Sequence, residues 1–130
     1  MKIMVVGSKN WVDYNEVMRV MTVTIDRWVS TNPEDKVITF VHSGSVGAEN
    51  MVTEYIGKVE KFMRQKDYHI KEKLYSRSNY GNPGLLARDY DILTSGVDKA
   101  IVFIRDRCKR SESFINMAKA DNIPVELVKG

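Results

Sequence analysis

At 130 residues, with 43% apolar and 28% charged, the chain is long enough for one buried core and too apolar to be a disordered segment. A formal charge of +3 and a pI near 9.0 suit an anionic partner, but they are too mild to indicate nucleic-acid binding. The lone cysteine, Cys108, excludes an intramolecular disulfide framework, and apolar runs such as "AIVFI" are too short to cross a bilayer.

The opening "KIMVVG" reads as a buried strand that stops at Gly7. It does not read as a secretory leader, because the chain then turns polar without a small-residue cleavage site. With the single cysteine, this makes the cytoplasm the expected compartment. From Asp13 to Ser30, the apolar positions Tyr14, Val17, Met18, Met21, Ile25 and Trp28 follow helical spacing. Pro33 lacks an amide donor and biases Asn32 away from helical angles, so "TNPED" ends this helix. "KVITFVH" is the second strand, and Val52, Tyr55, Ile56, Val59, Phe62 and Met63 mark one face of the helix after it.

A third strand runs through "YHIKEKLY" and is followed by the polar stretch "SRSNYGNPG". Asn82 and Pro83 have the character of an N-cap and first helical residue for a helix through Leu86, Tyr90 and Leu93, closed by Ser95-Gly96. "KAIVFIR" is a fourth, buried strand. Ser111 is positioned to cap a helix containing Phe114, Ile115 and Ala118 that ends near Asn122, and Pro124 introduces a last strand, "VELV". Strands alternating with helices give an α/β chain: a doubly wound, mainly parallel five-stranded sheet with helices on both faces, Rossmann-like, in one domain over residues 1–130.

In such sheets ligands settle at the carboxyl ends of the strands, where the winding reverses. Two small-residue turns fall there: "GSKNW" after the first strand and "SGSVGAEN" after the second. Gly44 and Gly47 suit positive φ, and a helix starting near Ala48 would aim amides and dipole at an anion. A plain turn remains the alternative, since the spacing fits neither the dinucleotide fingerprint nor the P-loop. Glu49 either complements the helix dipole or accepts hydroxyls from a ribose.

The patterns G-S-x-x-W, H-x-G-x-x-G-A-[DE] and G-x-P-G-x-x-A-R occur in this order along nearly the whole chain. Together with "GVDKAIVFI" and "NIPVELV", they resemble the YspA-like family of the SLOG superfamily. That resemblance implies a Rossmann-like domain binding a nucleotide or a nucleotide-derived ligand, in some relatives an antiviral signal. It places Gly7, Ser8, Lys9 and Trp11 in the first loop. His42, Ser43, Gly44, Ser45, Gly47, Ala48 and Glu49 fall in the second, and Gly84, Arg88 and Asp89 in a third element. The chain departs from the pattern at Ser43 or Ser45, where a second glycine is usual, at Glu49 in place of Asp, and at Asp89 in place of Asn. The basic "RDRCKRSES" also replaces a small-residue motif.

Arg88 has the fork to grip a phosphate bidentately, Lys9 offers a point charge, and Arg105 leaves the fourth strand at the same rim. Each also has an ordinary reading as a solvated or ion-paired surface group, and Asp106 follows Arg105 directly. Trp11 and Tyr80 are candidates for stacking on a base, with packing against the first helix the alternative for Trp11. Two histidines and one cysteine without C-x-x-C spacing give no metal site, and no cofactor is expected.

The expected function is non-catalytic binding of an ADP-ribose-like or cyclic nucleotide signal, which the domain would sense or sequester. One alternative is an N-glycosidic hydrolase using Glu49 and Asp89, although the P-G-G-x-G-T-x-x-E motif of phosphoribohydrolase relatives is absent. Another is an oligonucleotide-binding module built on "RDRCKR", with four cations in six residues. Family analogy also implies a homodimer or tetramer.

Overall fold

The strands are Lys2–Gly7 (β1), Val37–His42 (β2), His69–Leu74 (β3), Lys99–Ile104 (β4) and Val125–Lys129 (β5), apolar runs at β1, β2 and β4 and alternating segments at the two edges. They alternate with the helices Tyr14–Thr31 (α1), Ala48–Gln65 (α2), Leu85–Leu93 (α3) and Lys109–Ala120 (α4). The computed structural model describes residues 1–31, 34–75, 85–105 and 109–130, with backbone alone at 85–88 and 109–110. The strands form one sheet in the order β3-β2-β1-β4-β5, and every neighbouring pair is parallel.

The order follows from two-residue periodicity combined with right-handed crossovers. On β1, Ile3 and Val5 face α1 and α2, where they meet Met21, Trp28, Val52 and Phe40 in one core. Met4 and Val6 point the other way and pack with Ile92, Leu93, Phe114 and Ala118 from α3 and α4. The chain winds outward from β1 to β3, then returns across β1 to start β4. The winding therefore reverses between β1 and β4.

The helix ends have local causes. Asp13 precedes α1 and accepts the Glu16 N–H at 3.1 Å, the N-cap arrangement. At the end of α2, Asp67 has φ 66°, and the Tyr68 and Asp67 amides reach the carbonyls of Met63 and Arg64, both at 3.0 Å. Asn122, with φ 58°, does the same after α4, where Ile123 and Asn122 reach Ala118 and Lys119. Both ends are Schellman turns made without glycine.

The expected cap at Ser111 is corrected, because α4 begins at Lys109 and leaves Ser111 inside its first turn. Its hydroxyl is buried there and finds no hydrogen-bond partner among the described residues. Asn32, Pro33, Tyr80, Asn82, Pro83, Gly84, Asp106 and Cys108 lie outside the described residues, as does the side chain of Arg88.

Candidate functional site

Three strand ends meet at the reversal point. The Ser8 amide donates to Phe103 O at 2.9 Å, extending the β1–β4 ladder by one bond. The Ser8 hydroxyl then accepts the Arg105 amide at 3.0 Å and ties the first loop to the end of β4. Arg105 donates from Nη1 to the Asn10 carbonyl at 2.9 Å, so its guanidinium is anchored on the first loop and exposed at the rim. Lys9, which precedes Asn10, is exposed as well.

The second loop is pressed against the first. A methyl group on Gly47 would lie 2.4 Å from Ser8 O and 3.0 Å from Lys9 O, and φ is 92° there. A methyl on Gly7 would lie 2.5 Å from the Ala48 Cβ. These two glycines therefore admit the protein's own backbone and the first residue of α2. Gly44 differs: its φ is 73°, and its nearest neighbours, the Leu74 methyls, are 3.9 Å from where a Cβ would stand. It serves the turn itself.

Within residues 42–49 two polar chains divide the donors. Glu49 is fully buried, and its Oε1 accepts the Ser43 amide at 2.8 Å and the Ser43 hydroxyl at 2.6 Å. The Ser43 proton is thereby committed, so the 2.8 Å contact between the two serine hydroxyls has Ser45 donating to Ser43. Ser45 is left with its lone pairs as a half-exposed acceptor. In the second chain, the Gly44 amide donates to His42 Nδ1 at 3.0 Å, while His42 Nε2 faces Glu72 Oε2 at 2.7 Å. Thr53 donates to the same Glu72 oxygen at 2.7 Å.

The amides of Ser43 and Gly44 are consumed in this way, and those of Asn50 and Met51 reach Ser45 O and Gly47 O. Among the described residues, no protein acceptor meets the amides of Ser45, Val46, Gly47 or Ala48. Four consecutive unpartnered donors thus lead into the N-terminus of α2, whose cap residue Gly47 contributes no side-chain bond. Such an array suits an anion.

Of the candidate residues, Lys9, Ser43, Gly44, Ser45, Gly47 and Arg105 gather around this rim. Gly7, Ser8, Trp11 and Glu49 form the wall behind them. Trp11 is buried, packs edge-on against Phe103 with ring centroids 5.3 Å apart, and donates from Nε1 to Asp13 O. Its ring fills the core rather than offering an open stacking face. Asp89 is buried on α3, and Gly84 lies outside the described residues.

Glu72 and Thr53 were not legible beforehand. "HIKEKL" reads as an alternating edge strand, and only the pairing of Phe40 with Glu72 brings that carboxylate beneath the second loop. A cavity of about 190 Å³ opens beside the rim, lined by Trp11, Val12, Asp13, Arg105 and Gly130. A larger open groove of about 470 Å³ lies between α2 and β3, away from the first loop, with Glu60, Lys71 and Glu72 as its charged lining.

Among the described residues, no helix is long and apolar enough to cross a membrane, and no cluster of three or more metal-ligating side chains occurs. Fold and rim together define a doubly wound α/β domain with a candidate anion site at its winding reversal. No protein-family model matches the chain, and no curated protein matches it at a significant level.

Proposed function

We propose that the domain binds a nucleotide-derived small ligand, holding a phosphate on the amides of residues 45–48 and a sugar hydroxyl on Ser45. The observation that carries this reading is the uninterrupted run of unpartnered amides at the start of α2, beside the exposed cations Lys9 and Arg105. Amides at a helix N-terminus favour negative charge, and the two cations add to the field. Ser45 has spent its proton on Ser43, so the group it takes is a donor, as a ribose hydroxyl is. The combination of anion and hydroxyl is that of a ribose phosphate. The resemblance to the YspA-like SLOG family points to the same ligand class, and an ADP-ribose-like or cyclic nucleotide signal is the form it suggests.

Binding without turnover is favoured over N-glycosidic hydrolysis. Glu49 and Asp89, the carboxylates such a hydrolase would use, are both fully buried, and Glu49 is occupied by Ser43. The test is to incubate the protein with ADP-ribose, cyclic dinucleotides and mononucleotides, and to analyse what is bound and what is free. Intact ligand recovered only on denaturation is the expected result. Free base plus ribose phosphate would establish hydrolysis, and absence of any bound ligand across the panel would overturn the proposal.

A further inference from the structure

His42 closes β2 fully buried under α2, and both of its ring nitrogens are engaged. Nδ1 accepts the Gly44 amide at 3.0 Å. A nitrogen that accepts an amide proton carries none itself, so the ring is neutral, with its proton on Nε2 directed at Glu72 2.7 Å away. The titratable groups facing the ring among the described residues are Glu72 from β3 and Glu49 from α2, the latter with Oε1 4.0 Å from Nδ1. Thr53 from α2 adds a hydroxyl 3.4 Å from Nε2. β1, on the other side of β2, contributes the apolar Val5 on the same face of the sheet.

We propose that His42 is a proton-operated latch on the 43–48 turn. A second proton, taken from solvent, has no place on the ring except Nδ1. There it faces the Gly44 N–H, donor against donor, and the acceptor that holds the turn is lost. The new N–H is drawn toward Glu49, whose Oε1 already accepts the Ser43 amide and hydroxyl, so the second chain is disturbed as well. Glu72 is partly exposed and links the ring to solvent along the β3 edge. Acid would therefore loosen the rim while the sheet beneath stays intact.

The test uses the ligand-free, 15N-labelled protein, so it stands or falls independently of what the rim binds. Imidazole and amide resonances are followed between about pH 8 and pH 5, the range in which a histidine changes charge. At the alkaline end, Nδ1 should resonate as an unprotonated acceptor and Nε2 as a protonated nitrogen. On acidification both should become protonated in one transition. The Gly44 amide should lose its hydrogen-bonded shift in the same step and exchange with solvent about tenfold faster or more, while circular dichroism stays native.

His42→Asn retains an acceptor in the place of Nδ1 but takes no proton, and should hold the Gly44 amide constant across the range. Glu72→Gln removes the facing charge, so the coupled transition should need more acid; this variant keeps the test open if His42→Asn does not fold. A proton on Nδ1 at the alkaline end, a ring that titrates without moving Gly44, or a Glu72→Gln transition at unchanged pH would each overturn the latch.

Discussion

Asp67 and Asn122 carry the left-handed turns that end α2 and α4, positions where an L side chain is strained and glycine is not. Asp67→Gly should stabilise the protein by about 0.5–1 kcal/mol, read as a rise in the chemical-denaturation midpoint. Ser43 has the opposite sensitivity. Its hydroxyl is one of two Ser43 donors to the buried Glu49 carboxylate, so Ser43→Ala should cost about 1.5–3 kcal/mol in the same assay. The removal also frees the Ser45 proton, which turns that hydroxyl from an acceptor into a donor. Ligands with a hydroxyl at this point should weaken relative to those with a bare phosphate, a comparison that calorimetry reads directly. Sequence could not assign these polarities. The glycines and serines of the second loop stood out by composition, but which hydroxyl gives and which accepts depends on where Glu49 and His42 come to lie.

Elements meet at the reversal point because small residues allow it. Gly7 ends β1 against Ala48 at the start of α2, the close strand–helix approach that a doubly wound sheet needs beside its crevice. Gly7→Ala should cost about 1–3 kcal/mol through overpacking. Adding Ala48→Gly should recover part of that loss, so the two changes should be non-additive in a double-mutant cycle. Gly47→Ala has no such rescue, because a Cβ there meets the backbone carbonyls of Ser8 and Lys9 and φ is 92°. A loss of about 3 kcal/mol or more is expected. Strands and helices were legible from the sequence because two- and 3.6-residue periods are written in the apolar positions. The start of α4 was not, since a serine before an apolar stretch is an N-cap signal and the preceding "RDRCKR" carries no period. Nor was the task of Gly7 and Gly47, since a glycine filled by a neighbouring loop and one filled by a ligand look the same along the chain.

At the scale of the whole molecule, the alternation of elements foretold the parallel, doubly wound sheet, and that sheet brings the ends of β1, β2 and β4 to one rim. Residues 97 apart in sequence, Ser8 and Arg105, meet there through an amide-to-hydroxyl bond that no local pattern announces. Because the rim is assembled from the tertiary fold, a ligand held on it should stabilise the entire domain cooperatively. A hundredfold excess over Kd contributes about 2.7 kcal/mol, visible as a single shifted melting transition. Salt separates this reading from oligonucleotide binding. Contacts dominated by amides and one hydroxyl should weaken mildly with ionic strength, whereas a polyanion on the basic run should lose affinity steeply with log salt.

The most direct measurement is a titration of the 15N-labelled protein with ADP-ribose and, in parallel, a cyclic dinucleotide, followed amide by amide. The account predicts that one of them shifts Ser45, Val46, Gly47 and Ala48 together and to saturation, with Lys9 and Arg105 responding in step. Amides that stay unmoved at millimolar ligand, or shifts confined to the outer faces of α1 and α2, would contradict it.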